Sequence, residues 1–428
     1  MRQCTRCLYN ETVIPISFDE QGVCSYCKIH DSLDLEYPTG AAGERRMREL
    51  AEGIRREGRG KKYDVIVGVS GGCDSSYLLY LTKTVLGLRP LAVHFDNTWN
   101  STMATENIHA VLKALDVDLY TYVVDNAEYD DIYRSFMEAG VPEIETPTDI
   151  ALTATLRRAC RKFGVRFIFE GHSFRTEGIS PLGWLYMDGK YVESVHKAYG
   201  TRKLKTYPNL LLPSFLRDML FSNTRYVRPL WYMQYHKQEA MKFLIDKLGW
   251  KWYGGHHLEN RFAAFQHAYI YPRRWGIDSR LLGFSALVRS GQITREEGLE
   301  LLRAPISCDA EIVELVKKRL SYSDEEFERV MNLPKRSYRE FTTYKQTFEN
   351  LRWFFWLMYK AKRVPKSFYI KYCHPNPLVE RSVLELPKLE RELAPLGHTH
   401  PSLVTLENDL AIAHTAGETS KDAFGEAT

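Results

Sequence analysis

The run Ser70-Gly71-Gly72-Cys73-Asp74-Ser75-Ser76 constrains this chain most, because of what stands on either side of it. Val65-Ile66-Val67-Gly68-Val69 reads as a buried strand, and Tyr77-Leu78-Leu79-Tyr80-Leu81 as the opening of a helix. A strand, a glycine turn and a helix start form an anion cradle. The first N–H groups of a helix have no internal partner, and the helix dipole favours negative charge there. The glycines let the backbone approach a phosphate and take up positive φ. Ser70, Ser75 and Ser76 add hydroxyl donors, and Asp74 is placed to hold a Mg²⁺ or to orient the turn. The pattern is not a Walker loop, which needs G-x-x-x-x-G-K-S/T and therefore a lysine that is missing here.

The start of the chain carries a second constraint. Cys4-x-x-Cys7 and Cys24-x-x-Cys27 are separated by sixteen residues, the spacing of a two-knuckle structural zinc ribbon. With Cys4, Cys7, Cys24 and Cys27 as ligands no position stays open for water, so such a site supplies folding free energy rather than catalysis. Two disulfides and an iron–sulfur cluster are the competing readings.

Length and charge set outer limits. The chain has 428 residues, enough for two or three domains. A composition of 44% hydrophobic and 26% charged residues is that of a globular protein. The net charge of +4 is too small to argue for nucleic acid or an anionic membrane as partner. No apolar signal segment opens the chain, and the longest aromatic run, Trp353 to Tyr359, is too short for a bilayer. A cytoplasmic protein without a membrane span is expected. Cys73, Cys160, Cys308 and Cys373 are isolated and read as packed or surface thiols. Much of the aromatic content falls after Trp184, which suggests a substrate or docking surface built from flat side chains.

The pattern divides the chain. Residues 1–35 form the metal module, 36–60 a charged helical linker and 61–200 a nucleotide-binding domain. Within that domain strands are expected over Asp64–Val69, Pro90–Phe95, Asp118–Val124 and Arg166–Glu170. Helices are expected over Ser75 to Leu86, Thr102 to Leu115 and Ile150 to Phe163. Such alternation makes a parallel sheet with ligands at the carboxyl ends of its strands. From about residue 200 the strand rhythm stops, and 201–375 reads as a mainly helical region. Thr294-x-x-Glu297 and Ser323-x-x-Glu326 are capping boxes, and Phe348 to Tyr359 reads as one apolar helix ended by Pro365. Residues 376–428 read as a peripheral or disordered tail.

The strand followed by S-G-G-x-D-S resembles the PP-loop of the ATP pyrophosphatase superfamily, an α/β fold of the adenine nucleotide alpha hydrolase type. Further segments narrow the likeness. They are the cysteine knuckles, His94-Phe95-Asp96-Asn97-Thr98-Trp99-Asn100, Trp252-Tyr253-Gly254-Gly255-His256-His257-Leu258-Glu259-Asn260-Arg261-Phe262, Gly276-Ile277-Asp278-Ser279-Arg280 and Ser290-Gly291-Gln292-Ile293-Thr294-Arg295-Glu296-Glu297. Together they are similar to the N-acetyl sugar amidotransferase family, over residues 1 to about 375. That family often has lysine where His256 stands.

The resemblance implies an ATP-dependent, AMP- and pyrophosphate-forming C–N ligase. It would convert an acetamido group of a UDP-linked sugar into an acetamidino group, in LPS O-antigen or other surface-glycan synthesis. Ammonia would come from a glutaminase and ammonia-channelling partner pair. The implied cofactors are ATP, Mg²⁺ and a structural Zn²⁺. ATP is expected on Ser70, Gly71, Gly72, Asp74, Ser75, Ser76, His94, Asp96 and Gly171, with Asp74, Ser75 and His172 in catalysis. The sugar is expected on His256, His257, Glu259, Arg261 and Arg273. His94 also reads as a packed strand residue, and Arg273 with Arg274 as an exposed pair. Two other functions compete: a tRNA thiolase of the same superfamily, which would need further reactive cysteines, and a non-catalytic nucleotide-binding subunit of a glutaminase complex.

Overall fold

The computed structural model describes residues 2–13, 16–181, 184–254, 259–361 and 363–374. His256, His257 and the segment 376–428 therefore lie outside the described residues.

The N-terminal knuckles lead into α1 (Ser25–Glu36) and α2 (Gly40–Glu57). The α/β core follows: β1 (Val65–Gly68), α3 (Cys73–Tyr80), β2 (Pro90–Asp96), α4 (Thr102–Leu115), β3 (Leu119–Val123), α5 (Asn126–Ala139), α6 (Thr146–Phe163) and β4 (Phe167–Phe169). After α7 (Gly189–Tyr199) and α8 (Leu212–Arg217) the chain returns to the sheet as β5 (Arg225–Val227). The remainder is helical: α9 (Lys237–Leu248), α10 (Arg261–Phe265), α11 (Arg280–Arg289), α12 (Arg295–Arg303), α13 (Ala310–Arg319), α14 (Asp324–Met331), α15 (Lys345–Asn350), α16 (Arg352–Lys360) and α17 (Lys366–Cys373).

All five strands are parallel, in the order β3-β2-β1-β4-β5. Both faces are covered, so the central strands are apolar on successive residues. Val65 and Val67 pack with residues of α2, α3, α4 and α9, while Ile66 between them packs with Leu156, Ala159 and Cys160 of α6. This alternation is the period of two of a strand. The order reverses between β1 and β4, which is where an open parallel sheet leaves a crevice at its carboxyl ends. The expected α/β parallel-sheet class, with a four-cysteine N-terminus and a helical C-terminal region, is what the chain forms.

Three expectations need correction. The strand rhythm does not end near residue 200, because β5 joins the sheet. Arg225-Tyr226-Val227 is an edge strand of three residues, too short to show a period. The stretch Phe348 to Tyr359 is two helices, with Leu351 as the hinge between α15 and α16. The aromatic residues after Trp184 are mostly interior. Tyr186, Tyr191, Tyr207, Phe262, Phe265, Tyr271 and Phe327 are buried in one continuous core with the cysteine knuckles. Among the described residues the exposed large aromatics are Phe221, Trp252, Trp353 and Trp356.

Candidate active site

The loop from Ser70 to Ser75 lies at the reversal of strand order. Gly71 has φ +83°, and a Cβ there would fall 2.3 Å from the Ala104 carbonyl oxygen, so only glycine fits. Its own carbonyl accepts from Trp250 Nε1 at 2.9 Å, which anchors the turn from behind. Inside the turn, Ser70 N–H donates to Ser75 Oγ and Gly72 N–H to Ser70 Oγ, each at 3.3 Å. Ser70 and Ser75 are thus linked across the mouth of the cradle. Ser76 is buried in the first turn of α3, its N–H on the Gly72 carbonyl at 3.1 Å. Gly171, at the end of β4, closes on the same loop: a Cβ on it would come within 3.2 Å of Ser75 N.

Asp74 sits on the first turn of α3 with both oxygens engaged. Oδ1 accepts from the Tyr235 hydroxyl at 2.6 Å, and Oδ2 pairs with Lys237 Nζ at 2.9 Å. Burial would raise the carboxyl, but Lys237 and Tyr235 outweigh it and hold Asp74 below the usual range. Orienting the turn is therefore the role its geometry displays. Two further carboxyls face the loop. Burial first, then Asp74, pushes Glu177 well above the usual range, so it keeps a proton near neutrality. A Cβ on Gly72 would lie 3.3 Å from Glu259 Oε1 and 3.4 Å from the Tyr253 hydroxyl, which places both over the cradle. Were a Mg²⁺ to bind here, Glu259, and Glu177 once it gave up its proton, would be its hard oxygen donors. His172 Nε2 stands 3.7 Å from Glu177 Oε2. Burial, then Arg228, lowers the ring to about 4, so it is a neutral imidazole at physiological pH.

The next strand end is a scaffold. His94 is buried, Nδ1 is 2.8 Å from the Val69 carbonyl and Nε2 is 2.9 Å from Asn100 Nδ2. Both ring nitrogens are used, so His94 ties β2 to the cradle strand, the packed-residue alternative. Asp96 Oδ1 accepts from Thr98 N–H at 2.7 Å and Asn100 Nδ2 at 3.3 Å, shaping the turn after β2. Thr98 has φ +67°, unfavourable for a β-branched residue. Arg319 of α13 holds it, with Nη2 on Thr98 Oγ1 at 2.9 Å and on Asp130 Oδ1 at 2.7 Å. The segment after Leu258 runs beside this turn: Ser101 N–H donates to the Glu259 carbonyl at 2.8 Å and Arg261 N–H to the Trp99 carbonyl at 2.9 Å.

Of the expected sugar residues, Glu259 reaches the cradle, while Arg261 is exposed next to it. Arg273 does not share this cluster: it is exposed, with its guanidinium 4.0 Å from the Tyr269 ring centre. Arg274 is buried and serves the Val330 and Leu333 carbonyls at the end of α14. Tyr235, Lys237 and Trp250 were not expected. They come from a segment more than 160 positions beyond the loop, and no motif marks them.

The four cysteines converge. Cys4 and Cys27 Sγ are 3.8 Å apart, and Cys24 Sγ is 3.6 Å from both Cys7 and Cys27. All four sulfurs lie within 4.8 Å of one another and are buried, so the group could hold a metal ion. None of these separations approaches the ~2.05 Å of a disulfide. Sulfurs sharing one ion at about 2.3 Å form a tetrahedron with edges of about 3.8 Å, which these distances match. Backbone N–H groups of Arg6, Cys7 and Cys24 point at Cys4 Sγ at 3.3–3.4 Å, as befits a sulfur that carries charge. Elsewhere the thiols are unreactive: burial pushes Cys73, Cys160 and Cys373 up to about 12. Among the described residues no helix is long and apolar enough to cross a membrane.

Comparison with known proteins gives matches to curated proteins, to solved structures and to one family model. Among curated proteins, the uncharacterized protein MJ1599 of Methanocaldococcus jannaschii is 29% identical over 175 residues, 40% of this chain and 58% of that protein. The tRNA-specific 2-thiouridylase MnmA of Colwellia psychrerythraea is 32% identical over 126 residues, 26% of this chain and 34% of its own. The chain thus spans between a third and three fifths of the curated relatives it matches. Among solved structures, NMN synthetase from Francisella tularensis is 12% identical over 66% of this chain and 95% of its own, with TM-score 0.29. The U34-tRNA thiolase NcsA from Methanococcus maripaludis, solved with its 4Fe–4S cluster, is 13% identical over 73% and 91%, also with TM-score 0.29. Residues 259–354 match the family described as LPS biosynthesis protein WbpG-like, C-terminal domain. The family resemblance drawn from the sequence is thereby supported: behind a five-stranded parallel α/β sheet, the chain is similar over residues 259–354 to the C-terminal domain of WbpG-like LPS biosynthesis proteins.

Proposed function

We propose that this protein is an ATP-dependent amidotransferase that turns an acetamido group of a nucleotide-linked N-acetyl sugar into an acetamidino group during LPS synthesis. The observation that carries the reading is the pairing of one phosphate cradle with a WbpG-like region whose first residue, Glu259, reaches that cradle. An amide oxygen is a poor leaving group. In the proposed reaction it attacks the α-phosphorus of ATP, the α–β bridge bond breaks, pyrophosphate leaves and the amide proton is lost, giving an O-adenylyl imidate. Ammonia adds to the imidate carbon, AMP leaves with the oxygen, and the amidine remains.

The chain's own groups suit these steps. Ser70, Gly71, Gly72 and Ser75 bind phosphate, and Lys237 beside Asp74 brings positive charge to the departing pyrophosphate. Mg²⁺ on Glu259, and on Glu177 once the metal displaces its proton, would supply further charge neutralisation when bound. Neutral His172 offers a hydrogen-bond acceptor to the attacking ammonia, whose excess proton passes to solvent. The four-cysteine group fits Zn²⁺ better than a cubane cluster, because each thiolate of a cubane binds its own iron and the sulfurs stand further apart. With no described free thiol near its ordinary pKa at the cradle, nitrogen from glutamine requires a partner glutaminase.

The test is product analysis. Purified protein with ATP, Mg²⁺, UDP-linked N-acetylated uronic acids and high ammonium should yield AMP, pyrophosphate and an amidine one mass unit lighter than the amide. Glutamine alone should not replace ammonium until a glutaminase pair is added. ADP as product would discard adenylation. The likeness to the 2-thiouridylase favours tRNA as a second substrate class, and thiolated tRNA with no sugar product would establish that reading instead.

A further inference from the structure

Arg289, the last residue of α11, is buried at 6% exposure and has no carboxylate partner among the described residues. Its Nη2 lies 3.1 Å from Cys7 Sγ, and its guanidinium stacks 4.2 Å from the Tyr9 ring centre. Nε and Nη1 are buried with no hydrogen-bond partner. A guanidinium cannot give up its proton in a protein, and leaving it in the interior without a counter-charge is strongly unfavourable. Among the described residues the only anionic candidate in contact is the cysteine cluster. Four thiols are neutral, and so are two disulfides. Four thiolates around a divalent ion carry a net charge of minus two. The helices around Arg289 add to the contact: Arg295 donates to the Cys4 carbonyl at 3.1 Å, and Leu8 packs on Gly298 of α12.

We propose that Arg289 is the counter-ion of a metal-tetrathiolate centre, and that this charge pair fastens the N-terminal knuckles to α11 and α12. Arg289 is a positioning residue rather than a ligand. It lies 282 positions from Cys7, inside the region similar to the WbpG-like C-terminal domain. The centre thus acts as a staple between the N-terminal knuckles and the helical region that contains α11 and α12. By linkage, docking of α11 and α12 tightens the metal, and the metal tightens docking by the same factor. This rests on the metal reading of the cysteines but not on the proposed reaction.

Zn²⁺ is the probe, on the full-length protein. Competition against a chromophoric chelator should show Arg289→Met losing zinc affinity by about 10–100-fold, the range for outer-shell partners, with Arg289→Lys close to wild type. Thermal melting should cross over. Zinc-loaded Arg289→Met should melt below zinc-loaded wild type, whereas after chelation it should melt above, because it no longer buries an unpaired charge. Equal zinc affinity and equal loaded-minus-stripped melting shifts in wild type and Arg289→Met would overturn the proposal. If Arg289→Met does not fold, hydrogen exchange on wild type decides. Zinc removal should deprotect residues 281–299 along with residues 2–13, and unchanged protection of 281–299 would refute the coupling. A protein that binds no zinc at all would remove the metal reading while leaving the reaction above untouched.

Discussion

The phosphate cradle and the cysteine knuckles are both short turns whose N–H groups converge on a centre of negative charge, yet they are finished in opposite ways. The cradle is open. Its cation, Lys237, is already paired with Asp74, and its donors Ser70 and Ser75 hold one another until a ligand takes their place. The knuckles are closed. Their N–H groups end on sulfur, all four thiols are buried, and a fixed arginine stands behind them. A site that must release its anion at every turnover needs compensating partners of its own. A site that keeps its anion can lend that charge to the packing of the molecule.

Asp74→Asn attacks the open side of this contrast and should have the largest effect. It keeps the shape but weakens the hold on Lys237 and Tyr235. We expect pyrophosphate release to fall by about 100-fold or more, with unchanged circular dichroism. Full activity would show that the cradle needs no ordered acid.

Cys24→Ser attacks the closed side. Zinc content should drop from about one per chain to near zero, and soluble yield with it, while the rate per folded molecule changes far less. A catalytic loss as large as that of Asp74→Asn would erase the distinction between the two regions.

Arg319→Met probes the turn after β2 that runs beside the cradle. It removes the partner of half-buried Asp130 and the clamp on the positive-φ Thr98 turn. Chemical denaturation should show about 2–4 kcal/mol lost, somewhat less than the ~3–5 kcal/mol of a fully buried pair because this one is partly exposed. A loss under ~1 kcal/mol would mean that the turn holds itself.

The smallest effect concerns pH. Burial raises Glu145 to about 8, with Tyr133 donating to Oε1 at 2.7 Å. The folded state therefore holds a proton that the unfolded state releases near 4.5. This favours folding fully below pH 4.5 and is lost as pH rises towards 8. Glu145→Gln keeps the acceptor and removes that loss. It should gain about 1–2 kcal/mol over wild type at pH 8 and nothing at pH 4. His172 acts in the opposite sense: its depressed ring favours folding above pH 6.5, and that share fades as pH falls towards about 4. A gain from Glu145→Gln at acid pH instead would contradict the assignment of a protonated Glu145.

What could be read locally was read well. Thr294 and Ser323 cap the helices they precede, as their capping boxes predict, and each signal spans four residues. The three inner strands, β1, β2 and β4, stand out because burial on both faces makes them continuously apolar. Where the pattern is short or interrupted the reading failed, at the three-residue β5 and at the break at Leu351. Helix α5 went unassigned, since Tyr129, Tyr133 and Asp131 bury polar groups on its inward face.

The amino-acid sequence by itself determined the parallel α/β class, the glycine turn at the switch point and the set of four cysteines, because each is written in contiguous residues with a local physical cause. It also brought Glu259 forward through a motif. Only the tertiary structure decided the rest: that Asp74 answers to Lys237 and Tyr235, that His94 braces a strand, that Arg273 stands apart from the cradle, and that the aromatics after Trp184 form the interior. It also set Arg289 against Cys7. Each of these is a pairing of charges or rings across a long stretch of chain. Such pairings are chosen by burial and the need to satisfy every polar group inside, which no local pattern encodes.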